Sequence, residues 1–128
     1  MKLEEFLAQV RDRGEYGSRE EAEQVSTAVL RVLATRITPE EADDLAAQLP
    51  APLDDVLHRE RRAPAPLGLE EFLRRVAQHT GARPRTAEWD ASAVLSTVAD
   101  AVSGGQVNHL LSQLPTSYAE LFGRPGLS

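Results

Sequence analysis

The amino-acid sequence predicts an all-α fold in which two tandem four-helix repeats pack as one pseudo-symmetric helical domain. Apolar residues recur at helical spacing, helix start signals precede them, and short segments recur in the same order in both halves. The recurring segments are Leu-Glu-Glu-Phe-Leu at 3–7 and 69–73, Ala-Val-Leu at 28–30 and 93–95, and Gln-Leu-Pro at 48–50 and 113–115. Because a repeat of roughly 65 residues buries little surface alone, we expect the two copies to fold together.

The first repeat is expected to span residues 1–58 and to begin with a short amphipathic helix. The spacing i, i+3, i+4 and i+7 places four apolar side chains on one helical face, and they are Leu3, Phe6, Leu7 and Val10. This helix is expected to end near Gly14, where a loop begins.

A long helix is predicted after the capping box of Ser18 and Glu21. In such a box the serine hydroxyl accepts a hydrogen bond from the Glu21 backbone N–H, and the Glu21 carboxylate reaches back to the Ser18 N–H. The apolar band of this helix is too wide for a surface helix, which predicts a central position. Its members are Ala22, Val25, Val29, Leu30, Val32, Leu33 and Ile37.

Two shorter helices complete the first repeat. Thr38 and Glu41 form a second capping box, and the helix that it opens is expected to stop before Pro50. The apolar residues of the last helix are Leu53, Val56 and Leu57. Residues 59–68 are expected to form an extended connector, since proline on alternate positions prevents helix continuation.

The second repeat, residues 69–122, has the same order of elements. Its first helix is expected to end near Gly81 and its long helix to open near Thr86, while Ser103 with Gln106 repeats the capping-box pattern. The apolar residues of its closing helix are Tyr118, Leu121 and Phe122. Residues 123–128 are expected to be a loose tail.

The ordered matches resemble a bacterial family known as domain of unknown function 2267. The segments that carry the resemblance, which covers residues 3–122, are Phe6-Leu7 with Val10, the helix from Ala22 to Leu33, Asp44 to Pro50, Leu114-Pro115, and Tyr118 to Phe122. The resemblance implies a small, helical, duplicated bacterial protein. It implies no catalytic residue.

Composition and charge exclude several classes of protein. The net charge of -6 disfavours nucleic-acid binding, because affinity for a polyanion comes from neutralising phosphates with Lys and Arg. The chain has no cysteine, which excludes disulfides and thiolate chemistry and favours a cytoplasmic location. No apolar stretch approaches the ~20 residues of a membrane span.

The sequence predicts no catalytic, cofactor-binding or metal-binding residue. The nearest approach to metal-ligand spacing is Asp55 with His58, and the corresponding pair in the second repeat, Glu120 with Gly123, does not complete a site. Paired carboxylates lie mainly in the first turns of helices, where they complement the helix dipole. An enzyme would need polar residues that converge from both repeats, and the sequence identifies no such set.

Trp89 and two arginine clusters are the candidate partner contacts. Trp89 lies about 160° from the centre of the apolar stripe of its helix, at ~100° per residue. It either fills the junction between the repeats or is an exposed anchor for a partner. The clusters are Arg59, Arg61 and Arg62 in the connector, and Arg74, Arg75, Arg83 and Arg85 in the second repeat. They would form one patch if the repeats fold face to face, and a solvated surface is the simpler interpretation.

Two functional hypotheses follow. The first is a non-catalytic interaction or scaffold module, whose partner is another protein or a second copy of the chain. The alternative is a small-molecule binder that holds an acidic or lipid-like ligand in a pocket between the repeats, where apolar walls and arginines would meet the ligand.

Overall fold

The computed structural model describes residues 1–60, 62–82 and 84–124, with the backbone alone at Pro84. Within these ranges the chain forms seven α-helices and one 3₁₀ helix, and no strand, so the all-α prediction is confirmed. The elements are α1 (Leu3–Gly14), α2 (Arg19–Arg36), α3 (Pro39–Ala46), α4 (Leu53–Glu60), α5 (Leu69–Thr80), α6 (Pro84–Ala101), α7 (Gly104–Ser112) and the closing 3₁₀ helix (Thr116–Phe122).

Several helix ends differ from the expected positions. α4 continues through Glu60, so two residues expected in the extended connector are helical. α3 ends at Ala46, earlier than the proline stop predicts, because the next N–H groups of Gln48 and Leu49 bond to carbonyls three residues back. The last element of the second half is a 3₁₀ helix for the same local reason, with the Tyr118 N–H donating to the Pro115 carbonyl at 3.0 Å.

The three capping residues occupy the predicted positions. Each side-chain hydroxyl accepts a hydrogen bond of 3.1 Å from the backbone N–H three residues later. The pairs are Ser18 with Glu21, Thr38 with Glu41, and Ser103 with Gln106.

The second hydrogen bond of a capping box, from the N-cap N–H to the side chain of the third helical residue, differs from the prediction. The Glu21 carboxylate accepts from the Gly17 N–H at 3.3 Å, one residue before the expected Ser18 N–H. The side chains of Glu41 and Gln106 hydrogen-bond to each other at 2.8 Å. In these two boxes the hydroxyl cap is kept, and a contact between α3 and α7 takes the place of the side-chain bond back to the N-cap N–H.

The two long helices lie at the centre of the molecule. α2 packs against α1, α4, α5 and α6, while α6 packs against α1, α2, α5 and the closing 3₁₀ helix. α1 therefore contacts both long helices, and so does α5. The phenylalanines of the two matched segments, Phe6 and Phe72, are fully buried in one hydrophobic cluster that extends through all the helices. The predicted central position of α2 is confirmed.

The end of the connector is fixed to both halves of the chain. The Leu67 carbonyl accepts from Arg36 Nε at 2.9 Å and from the Tyr118 hydroxyl at 2.8 Å. The Arg36 guanidinium also lies 5.8 Å from the centre of the Tyr118 ring, and the Phe72 ring meets that ring edge-on at 5.2 Å. These contacts tie α2 and the closing 3₁₀ helix to one carbonyl group.

α1 ends in a tight turn that requires a glycine. Glu15 adopts a left-handed conformation with φ 54°, and the Tyr16 N–H donates to the Arg11 carbonyl at 2.9 Å. This turn folds the Tyr16 ring over Gly14. A Cβ atom on Gly14 would lie 2.1 Å from Tyr16 Cε2, which is far inside van der Waals contact.

We expect Gly14→Ala to destabilise the protein by about 1–3 kcal/mol, because the Tyr16 ring must move out of its packed position. Gly17→Ala is the matched control, since a Cβ there meets no atom within 4 Å. Urea unfolding followed by circular dichroism measures both. Equal midpoints for the two variants would contradict the proposed close packing.

Candidate functional site

Polar side chains join α1 to α6. Arg13 donates to Ser96 Oγ at 3.0 Å and to Thr97 Oγ1 at 3.3 Å, and its guanidinium also pairs with the Asp100 carboxylate. One guanidinium therefore satisfies three acceptors on the same face of α6. This contact fixes the position of the α1 C-terminus along α6.

Trp89 lies where α6 meets the end of α1. Its indole N–H donates to the Gly14 carbonyl at 2.9 Å. That carbonyl belongs to the last turn of α1, where the backbone carbonyls have no hydrogen-bond donor within the helix. The side chain is nevertheless 51% exposed. The indole nitrogen therefore takes part in the junction, while half of the residue faces solvent.

A buried carboxyl group accompanies this junction. Asp90 is 4% exposed, and its Oδ1 accepts from the Tyr16 hydroxyl at 2.5 Å. Burial raises the pKa of Asp90, the hydrogen bond from Tyr16 opposes this shift, and the negative charge of Glu21 adds to it. Burial and the neighbouring Asp90 raise the pKa of the Tyr16 hydroxyl, which keeps it a donor.

The hydrogen-bonded side chains of Tyr16 and Asp90 line an open groove of about 370 Å³, which we call the junction groove. Its walls come from the α1–α2 loop, α2, the end of α5 and α6. The polar side chains that line it are Tyr16, Glu21, Gln24, His79, Thr86 and Asp90. The lining residues that the structure describes include two carboxyl groups and no arginine, which does not favour an anion.

An adjoining groove of about 430 Å³ lies between α2, α4 and the end of α5, and we call it the arginine groove. It shares Gln24 and His79 with the junction groove. Arg31 and Arg59 line it together with apolar side chains of α2 and α4. Thus cations and apolar surface meet here, while the junction groove is mainly polar.

A third groove, of about 590 Å³, runs along the exposed side of α1. Here Arg19, at the start of α2, forms two hydrogen bonds from Nε, at 2.8 and 3.0 Å, and one from Nη2, at 2.5 Å, to the Glu4 carboxylate. These hydrogen bonds lower the pKa of Glu4. Because these two groups neutralise each other, the remaining charge of this groove comes from its other lining residues, Arg11, Asp12 and Glu15.

The remaining candidate arginines are mostly paired with carboxylates. Arg62 lies 3.2 Å from Glu60, while Arg74 and Arg75 lie 2.9 and 3.5 Å from the two oxygens of Glu71. Arg85 is exposed near the start of α6. Arg61 and Arg83 lie outside the described residues. Among the described members of the two clusters, Arg59 lines the arginine groove.

A polar cluster between α3 and α7, centred on the buried Glu41, was not predicted from the sequence. Glu41 is 1% exposed, and its carboxylate contacts His109 Nδ1 at 2.7 Å as well as the Gln106 amide. The Gln48 side-chain oxygen accepts from the Ser103 N–H at 2.8 Å. The signal in the sequence is that Glu41 and Gln106 occupy the third helical position of matched capping boxes.

The described residues contain no group of three or more His, Asp or Glu side chains placed to hold a metal ion. His58, considered with Asp55 for its ligand spacing, has Nδ1 3.1 Å from the Asp43 carboxylate on α3. None of the described helices has both the length and the apolar character that crossing a bilayer requires.

The structure defines an all-helical protein with open grooves on its surface. Polar side chains join α1 to α6 and α3 to α7. The chain matches the family described as "Uncharacterized conserved protein (DUF2267)" over residues 3–121. It therefore belongs to that family, and the resemblance seen in the sequence is confirmed. A comparison with curated proteins gives no match.

The raised pKa of Asp90 predicts a pH dependence of stability. Native Asp90 binds its proton at higher pH than the same residue does in the unfolded chain. The contribution of Asp90 to the free energy of unfolding is therefore greatest at acid pH and is lost as the pH rises through the native pKa. We therefore expect Asp90→Asn to become more stable relative to wild type as the pH is raised from 3 to 7.

Unfolding free energies from urea titrations at several pH values measure this difference. Asp12→Asn, an exposed position on α1, controls for the loss of one carboxylate. A difference between Asp90→Asn and wild type that stays constant over the whole pH range would contradict the role assigned to burial.

Proposed function

We propose that the chain is a non-catalytic binding module built from two tandem four-helix halves with approximate two-fold symmetry. The first half is α1–α4, and the second runs from α5 to the closing 3₁₀ helix. α1 and α5 each have 12 residues, and α2 and α6 each have 18. A two-fold axis would exchange the α1–α6 contact with the α5–α2 contact and map the α3–α7 contact onto itself.

The partner we propose is another protein or a second copy of this chain, and Trp89 is the observation that carries this proposal. Tryptophan is enriched among the few residues that supply most of the binding free energy at interfaces. The hydrogen bond to Gly14 holds the exposed ring in one orientation before binding. A fixed ring loses little rotamer entropy in a complex, which favours its use as an anchor.

We expect Trp89→Ala to weaken partner binding by about tenfold or more, as truncation of an interface anchor does. Purified protein immobilised on a resin, with quantitative mass spectrometry of retained proteins, measures a distinct partner. Sedimentation velocity over a range of concentrations measures self-association.

Two variants sharpen this test. Trp89→Phe keeps an aromatic ring but loses the N–H, so it separates anchoring from the bond to Gly14. Gln78→Ala removes an exposed side chain of α5 that lines none of the three grooves, and this variant should bind as wild type does. Equal retention of every protein by wild type and Trp89→Ala, together with equal sedimentation, would overturn the role of Trp89.

The second candidate function is small-molecule binding at the junction of the halves. The junction groove favours it, because residues of both halves line this groove. Its carboxyl groups, Glu21 and Asp90, disfavour the acidic ligand expected from the sequence. An acidic or lipid-like ligand would instead suit the adjoining arginine groove, where cations and apolar side chains occur together.

A further inference from the structure

We propose that the arginine groove binds a small, freely diffusing organic anion that has a phosphate or carboxylate head and a short alkyl part. The proposal rests on the second candidate function and adds the site, the ligand class and the residues that recognise it. The anionic head would contact Arg31 and Arg59, and the alkyl part would cover the apolar wall formed by α2 and α4.

The charge of the groove is the first reason. Among the described lining residues, two are arginines, Arg31 and Arg59, and one is a carboxylate, Glu23, in a chain whose net charge is -6. Arg59 makes no ion pair within the described part of the chain. The groove is therefore a local site of positive charge on an acidic protein, and such sites concentrate anions.

Arg31 is also available to an anionic ligand, because its ion pair with Glu60 is weak. Its Nε lies 3.8 Å from Glu60 Oε1, which is a long and partly exposed contact. Glu60 also pairs with Arg62 at 3.2 Å, so one carboxylate serves two guanidinium groups. Since an exposed ion pair of this kind contributes little free energy, an anionic ligand can compete for Arg31.

The apolar wall is the second reason. Ala28, Leu53 and Val56 line the same groove as the two arginines, and each belongs to the buried core of the first half. Packing of α2 against α4 fixes this wall. Since these three side chains are at most 6% exposed, the gain comes mainly from the ligand's own alkyl area leaving water, at about 25 cal/mol per Å².

The net charge of the chain argues for a free ligand over an anionic membrane surface. A bilayer rich in anionic lipids repels a protein of net charge -6, whereas a small anion can enter the groove without meeting the acidic surface around it. The volume of about 430 Å³ is also of the size of a small-molecule site.

Titration of ¹⁵N,¹³C-labelled full-length protein with hexyl phosphate, followed by NMR, tests the proposal. We expect saturable shifts at the Arg31 and Arg59 Nε–H groups and at the Val56 methyls. Inorganic phosphate and 1-hexanol each supply one part of the ligand and should bind at least about tenfold more weakly.

Matched arginine variants separate the groove from general charge effects. Arg59→Gln is expected to weaken hexyl phosphate binding by about tenfold, the loss typical of a charge-assisted contact. Arg74→Gln removes the same charge outside the three grooves and should bind as wild type does. Thermal melts check that both variants remain folded.

The proposal would be overturned by the absence of a saturable shift with hexyl phosphate, by equal weakening in Arg59→Gln and Arg74→Gln, or by stronger binding to phosphatidylglycerol vesicles than to the free ester. Shifts confined to Tyr16 and Asp90 would also overturn it. In that last case the second candidate function would stand, with its site in the junction groove.

Discussion

The fold depends on the burial of each short first helix between the two long helices. Phe6 on α1 and Phe72 on α5 are both fully buried, and each of these helices packs on α2 and on α6. Neither half can cover its own first helix alone, because one side of that helix faces the long helix of the other half. Because burial of these apolar faces needs both halves, we expect the two halves to fold in one step.

Polar contacts fix the register in which the helices meet. Arg13 bonds to three side chains of α6, while the buried Glu41 carboxylate bonds to Gln106 and His109 on α7. A shifted register would leave the buried Glu41 carboxylate unpaired, which burial penalises, whereas the partly exposed Arg13 contact costs less free energy to break. The same register places Trp89 beside Gly14 and sets the walls of the junction groove. The binding surfaces that we propose are therefore consequences of how the helices join.

The helices could be predicted from local patterns, whereas the contacts between them could not. Capping by Ser18, Thr38 and Ser103 depends on neighbours three residues away, which a sequence displays directly. By contrast, Arg31 and Arg59 share a groove only because α2 packs on α4, and Tyr16 meets Asp90 only because the α1–α2 loop reaches α6. Helical periodicity identifies which face is buried but does not identify its partner helix.

Native-state hydrogen exchange tests most directly whether the two halves are one folding unit. In the wild type, we expect the slowest amides of α2 and α6 to exchange with the same free energy of opening. Val76→Ala removes apolar volume from α5, in the second half, and should lower both values by the same amount, about 1–3 kcal/mol. Loss of protection in α6 with unchanged protection in α2 would contradict the shared core.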